Sequence, residues 1–228
     1  MTDGRVNVLA SISRQIRLGS LPPAARLEHP GAMPVAAAPA DLVATFSAEL
    51  EALAVTVHHV DDDGDAAATV VSIAGAAGAR QVLAWDDEWL NCPPLPDALS
   101  AAGIVRESCW LPMDPEARTQ RLAELDGVKV GVTGALAGLA DTGSLAMVSG
   151  PGRARIASLL TPIHIAVIRA TQIVPSYAAF LAMHPDVAEH GSNLVLITGP
   201  SRTADIEMTL TRGVHGPGQV HVVVVGKR

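Results

Sequence analysis

The side chains with the most chemical capacity gather near the C-terminus. The run Thr198-Gly199-Pro200-Ser201-Arg202-Thr203-Ala204-Asp205-Ile206-Glu207 follows an apolar stretch, and Arg212-Gly213-Val214-His215-Gly216-Pro217-Gly218 comes soon after. Ser201 and Thr203 offer hydroxyls, Arg202 a permanent charge with planar donors, and Asp205 and Glu207 carboxylates. If a strand ends at Gly199 and a helix opens beyond it, the free N–H groups of the first turn favour an anion. The same residues also read as an ordinary helix start, with Ser201 or Thr203 as cap and the acids matching the dipole. The run lacks the lysine and the glycine spacing of a Walker loop or a dinucleotide fingerprint.

His215 lies in a turn among Gly213, Gly216 and Gly218, where it can serve as acid, base or donor near neutral pH, or simply be an exposed loop histidine. Asp141-Thr142-Gly143-Ser144 is a third candidate. Its hydroxyls around a glycine can hold phosphate or carboxylate, or they can form a plain β-turn. The expected ligand contacts are thus Thr142, Gly143, Ser144, Gly199, Ser201, Arg202, Thr203 and Asp205, with His215 and Glu207 as acid–base candidates.

Other chemistry-bearing residues read more plainly. Arg153 and Arg155, in Gly150-Pro151-Gly152-Arg153-Ala154-Arg155, attract an anion only if they share a cleft. His164 falls at a strand start, which suits a structural hydrogen bond. His58 and His59 are adjacent on a strand, point to opposite faces, and so make no compact metal site. No His/Asp/Glu spacing suits a metal. No nucleophile elbow is present.

The elements that must carry these residues alternate. Helices are expected at Val6–Leu18, Asp41–Leu53, Asp65–Ala77, Pro115–Leu125, Pro151–Leu160, Pro175–Met183 and Thr203–Leu210, with at best a short one at Leu136–Ala140. Strands are expected at Ala54–Val60, Arg80–Ala84, Gly103–Arg106, Val128–Val132, Ser144–Val148, Ile163–Arg169, Leu194–Thr198 and Gln219–Val225. Such alternation predicts a layered α/β fold with a mostly parallel sheet. Gly19–Ala40, with Pro22, Pro23, Pro30, Pro34 and Pro39, reads as a linker or an extended arm. The expected organisation is an N-terminal helix and arm over 1–40 and an α/β domain over 41–228.

Composition narrows the function. The chain has 228 residues, 49% of them hydrophobic but only 3% aromatic. That suits a core of small aliphatic side chains between helices and a parallel sheet. The formal charge of −7 argues against general nucleic-acid binding, which needs a basic face. Cys92 and Cys109 have no CxxC spacing and are too few for an iron–sulfur cluster, which takes four ligands. No targeting segment and no long uncharged apolar run is read, so a cytoplasmic location is expected.

Together, the Thr198–Glu207 run, the Gly213-Val214-His215-Gly216-Pro217 turn, the Asp141-Thr142-Gly143-Ser144 turn and Leu159-Leu160-Thr161-Pro162-Ile163-His164-Ile165 resemble the lactate-utilisation protein C (LutC/YkgG, LUD-domain) family from about Asp41 to Val225. The resemblance implies a Rossmann-like α/β sandwich similar to the sugar-phosphate isomerase and CoA-transferase (NagB/RpiA-like) superfamily. It implies a part in oxidising L-lactate to pyruvate with two iron–sulfur partner proteins, the A and B types, and no redox cofactor in this chain. A small carboxylate or phosphate is the expected ligand. A glutamate nucleophile of the CoA-transferase kind is not recognisable. Two other readings stand beside this one: a stand-alone isomerase- or transferase-type enzyme, and a non-catalytic assembly or regulatory module.

Overall fold

The apolar runs assemble into a six-stranded sheet in which every neighbouring pair is parallel. The computed structural model describes residues 8–14, 40–204, 210–213 and 215–226. Contacts divide the chain into two units, Met1–Val35 and Ala36–Arg228. In the first, residues 8–14 are helical. The expected arm over residues 19–39 lies outside the described residues.

In the second unit the sheet strands are β1 (Thr56–Val60), β2 (Gln81–Ala84), β3 (Val105–Ser108), β4 (Val130–Gly134), β7 (Ile163–Arg169) and β12 (Gln219–Val225). Their spatial order is β1-β12-β7-β4-β2-β3. The central strands carry the longest runs of Val, Ile and Ala, because both of their faces are covered. Every residue of β4 is buried, as is the middle of β7.

Four helices begin where a short polar side chain can accept an otherwise unpaired N–H. Asp41 caps α1 (Leu42–Ala52) by accepting from Ala44 N–H at 2.9 Å. Asp62 caps α2 (Asp63–Ala76) through Asp65 N–H at 2.9 Å. After the short α3 (Leu95–Ala101), Asp114 caps α4 (Pro115–Leu125), and Ser176 caps α5 (Tyr177–Met183).

A core nearly free of aromatics packs tightly. A Cβ on Gly131 would overlap the Ala157 carbonyl oxygen, and one on Gly134 would overlap that of Trp89. Gly131 and Gly134 belong to opposite faces of β4, so both faces of that strand are packed down to backbone contact.

Three expectations are corrected. Leu136–Ala140 is not helical: β5 (Ala137–Leu139) is a strand, antiparallel to β6 (Ser144–Ser149). Pro151–Leu160 keeps only a 3-10 turn at Arg155–Ser158, because Gly150 and Arg153 bond each other's backbones in a tight turn first. The described part of the expected helix Thr203–Leu210 is not helical either. Its described ends are β10 (Arg202–Ala204) and β11 (Leu210–Arg212), paired antiparallel as Arg202↔Arg212, Thr203↔Thr211 and Ala204↔Leu210. The β-branched Thr203 and Thr211 fit such a pair better than a helix.

β5 and β6 continue into a second sheet of order β8-β5-β6-β9, with β8 (Ile173–Val174) and β9 (Asn193–Ile197) at its edges. This sheet has its own small core around Leu139, Val148, Val174 and Phe180. Among the described residues, no helix is long and apolar enough to cross a membrane.

Candidate functional site

In an open parallel sheet, ligands collect beyond the carboxyl ends of the strands. At those ends a polar frame ties several loops together. The Arg169 guanidinium, at the end of β7, pairs with the Asp63 carboxylate at 2.9 Å and donates to Asn91 O at 3.2 Å. Asn91 Nδ2 in turn donates to Ala135 O and Val167 O. Gln172 accepts from Arg169 N–H at 2.9 Å and donates to Ala135 O. This frame fixes the loops after β1, β2, β4 and β7 relative to one another. The amide donors of Asn91 and Gln172 are used up in doing so.

The wider opening is beside it. A cleft of about 1030 Å³ runs past the carboxyl ends of β1 and β12, lined by His58, Asp61, Asp65, Thr69, Ser72 and Gly226 among others. The imidazole of His58 meets that of His221 edge to edge, with ring centroids 5.4 Å apart and planes 24° from parallel. His58 Nε2 lies 3.1 Å from His221 Nδ1. One ring must donate and the other accept, so at most one of the two facing nitrogens carries a proton. Burial pushes the pKa of each below the ordinary histidine value, and His221 is lowered further by the charge on His58. A neutral imidazole pair of this kind can pass a proton.

His59, on the other face of β1, meets Ser47 of α1 at 3.2 Å, so the two adjacent histidines do point apart. His164 is fully buried, hydrogen-bonded to Thr133 at 2.9 Å, and burial pushes its pKa down to about 4. That is the structural role its position predicts. Among the described residues, no group of three or more His, Cys, Asp or Glu side chains is placed to hold a metal ion.

The C-terminal window sits elsewhere. β9, which leads into Gly199, belongs to the second sheet and is antiparallel to β6. The premise of a parallel strand running into a helix start is therefore replaced by a strand end followed by β10, which pairs antiparallel with β11. Three hydroxyls do converge: Thr142 Oγ1 meets Ser144 Oγ at 2.9 Å, and Ser144 Oγ meets Thr198 Oγ1 at 2.7 Å. Gly143 holds φ +58° against the end of α1, where a Cβ would come within 2.8 Å of Leu50 N. Gly199 packs against Leu53 at the same helix end. A helix C-terminus is the negative end of its dipole.

Ser201 N–H donates to Pro217 O at 2.9 Å, and Gly213 N–H to Ser201 O at 3.0 Å. These bonds join Ser201 to the His215 turn, with His215 itself exposed. Gly218 N–H reaches Pro162 O, so this group lies at the amino ends of β7 and β12, across the sheet from the polar frame. Arg202 and Thr203 are in β10. Asp205 and Glu207 lie outside the described residues.

His221 was missed in the sequence. The only local signal is an imidazole among the valines of the strand Gln219–Val225, and its partner is 163 positions away.

A family model described as LUD domain matches residues 43–225. A protein named lactate utilization protein C from Geobacillus sp. (strain WCH70) is 30% identical over 70% of this chain and 68% of its own length. One of the same name from Halalkalibacterium halodurans is 32% identical over 66% of this chain and 64% of its own. The chain thus spans about two thirds of the length of these relatives. A crystal structure titled a DUF162 family protein, from Deinococcus radiodurans, superimposes with a TM-score of 0.58 at 24% identity, covering 82% of this chain and 98% of that one.

Proposed function

The chain belongs to the LUD-domain family, and from that premise we propose that it is a subunit of an L-lactate utilisation system, working with iron–sulfur partner proteins that carry out the electron transfer. The observation that carries this reading is the match to relatives named for lactate utilisation over most of the α/β domain. The chemistry of the two cysteines supports placing the redox step in partners. A cluster is held by thiolates, usually four. Here there are two thiols, both buried and mainly desolvation-raised, Cys92 to about 11 and Cys109 to about 12. In this reading the chain binds and positions a small hydroxy or keto acid. The test is deletion of the gene. Growth on L-lactate should fail while growth on glucose continues, and the chain purified from lactate-grown cells should bring down proteins with iron–sulfur absorption. Normal growth on L-lactate as sole carbon source would refute it.

A second reading is favoured by one feature. The His58–His221 pair beside the cleft of about 1030 Å³ suits an enzyme that moves a proton by itself, as an isomerase does. Turnover of a small substrate by the isolated chain, lost in His58→Gln, would favour it over the subunit.

A further inference from the structure

The parallel sheet ends in β1 on one side and β3 on the other. An unpaired strand edge is a template for another strand, and charged side chains are a common guard against that. β3 has this guard. Its Arg106 pairs with Asp87, and its Glu107 with Arg121. β1 has none: Thr56-Val57-His58-His59-Val60 carries no acid, no Lys or Arg, and no proline.

The direction of the β1 peptide groups follows from one bond. Val60 opposes Val225, and Gly226 N–H donates to Val60 O at 3.0 Å. The N–H and C=O of Val60 therefore point at β12. By the alternation of a strand, so do those of His58 and Thr56, while those of Val57 and His59 point outward. Among the described residues, no strand pairs with that outer side. The cleft of about 1030 Å³ runs along it. His58 and His59, from opposite faces of β1, both line this cleft, together with Ala68, Thr69 and Ser72 of α2.

We propose that β1 of a second copy of this chain occupies the edge, antiparallel about a two-fold axis at His58, so that two sheets join into one. An axis perpendicular to the sheet keeps the side-chain faces aligned only when paired residue numbers add to an even sum. Centred on His58, the whole strand is matched: Thr56 with Val60, Val57 with His59, and His58 with its own copy. The Val57–His59 pairs exchange both hydrogen bonds, so every outward N–H and C=O of these residues gains a partner. Charge favours the same strand as occupant. No charged side chain of β1 meets its like, and Asp61 falls opposite Val55. On β3 the corresponding pairing sets Arg106 against Arg106, or Glu107 against Glu107. Ala68 and Ser72 are short and exposed, which leaves room for the partner's α2 on that face.

The two copies of His58 become a non-hydrogen-bonded pair, with Cα atoms about 4.5 Å apart and side chains on one face. His221, His58 and their copies then form a row of imidazoles across the axis, and each copy adds a ring to the other's cleft. The pairing goes beyond both readings of function and depends on neither.

Sedimentation equilibrium of the full chain at micromolar concentration should give twice the mass of one chain. His59→Pro removes one outward N–H and no bond to β12, and proline is tolerated on an edge strand. It should give a folded monomer, with folding checked by circular dichroism. The register is read separately, by mild oxidation of His58→Cys and Thr56→Cys. An axial pair lies within disulfide reach, so His58→Cys should yield a covalent dimer. Thr56→Cys should not, because its copies stand about 13 Å apart along the strands. The wild-type chain, whose own thiols are buried, is the control. If His59→Pro does not fold, the cross-linking decides. A wild-type monomer, a folded His59→Pro chain that still dimerises, no covalent dimer from His58→Cys, or equal cross-linking by Thr56→Cys overturns the proposal.

Discussion

His58 and His221 meet through their ring nitrogens from neighbouring parallel strands, 3.1 Å apart with the ring planes 24° from parallel, at the edge of the cleft of about 1030 Å³. β1 and β12 are paired so that Thr56 opposes His221 and His58 opposes Val223. The two imidazoles are therefore diagonal neighbours on one face, close enough for aromatic rings to meet. Partial burial lowers the pKa of both, and the His58 charge lowers that of His221 further. In a proton NMR titration of the ring C–H signals, both should titrate below the ordinary value near 6.5. Replacing His58 by Gln should move the His221 midpoint upward, because a neighbouring charge is removed. A midpoint for either ring above the ordinary value would contradict the pair.

Acid should destabilise the protein through His164. Its folded-state pKa is about 4, below the value of the unfolded chain, so the unfolded state binds the proton first as pH falls. Its contribution is fully present above pH about 6.5 and is lost progressively down to pH about 4, on the order of 3 kcal/mol in all. Urea unfolding at several pH values measures this. His164→Gln keeps a partner for Thr133 and should flatten that part of the profile.

Two glycines in β4 and one in α2 should respond in opposite directions. Gly131→Ala or Gly134→Ala drives a methyl into a carbonyl oxygen of the layer packed on that face. Each should cost about 3 kcal/mol or fail to fold. Gly75, exposed in α2, has nothing within 4 Å of its virtual Cβ. Gly75→Ala should gain roughly 0.5–1 kcal/mol by limiting the unfolded chain. Chemical denaturation distinguishes the two classes.

The Thr142–Ser144–Thr198 hydroxyl chain should matter to stability. Ser144 is buried and bonded on both sides, so Ser144→Ala should cost about 1–2 kcal/mol. Gly143→Ala should cost more, since it combines a left-handed backbone angle with a 2.8 Å approach to Leu50 N. If instead Ser144→Ala leaves the unfolding midpoint unchanged and abolishes binding of an anion, the turn is a binding site.

The thiols should be inert in the folded protein. With Cys92 pushed up to about 11 and Cys109 to about 12, neither is a thiolate at pH 8. A disulfide reagent should label neither residue at that pH, and label both once urea is added. Rapid native labelling would show an accessible thiolate.

The sequence alone determined the type of most elements. Pro115–Leu125, Ile163–Arg169 and Gln219–Val225 form where their patterns place them. Asp41 caps α1 as its residue type predicts. Local signals of period and capping survive folding because they act within a few residues. The alternation of strands and helices carried the parallel sheet with it, since parallel neighbours need a crossover.

Tertiary structure decided what each strand lies beside. Leu194–Thr198 is a strand by any local measure, yet nothing local tells whether it joins the parallel sheet or pairs antiparallel with β6, which is what it does. That choice moved the Ser201–Thr203 window away from the carboxyl edge, and where a helix start was expected β10 pairs antiparallel with β11. The non-local pairing of β1 with β12 brought His58 to His221, and Arg153 lies over Trp89, 64 positions away in the chain. Strand partners and buried charges are selected by the free energy of the whole packed layer, in which residues distant in sequence become neighbours. A chain read one window at a time contains no term for those contacts.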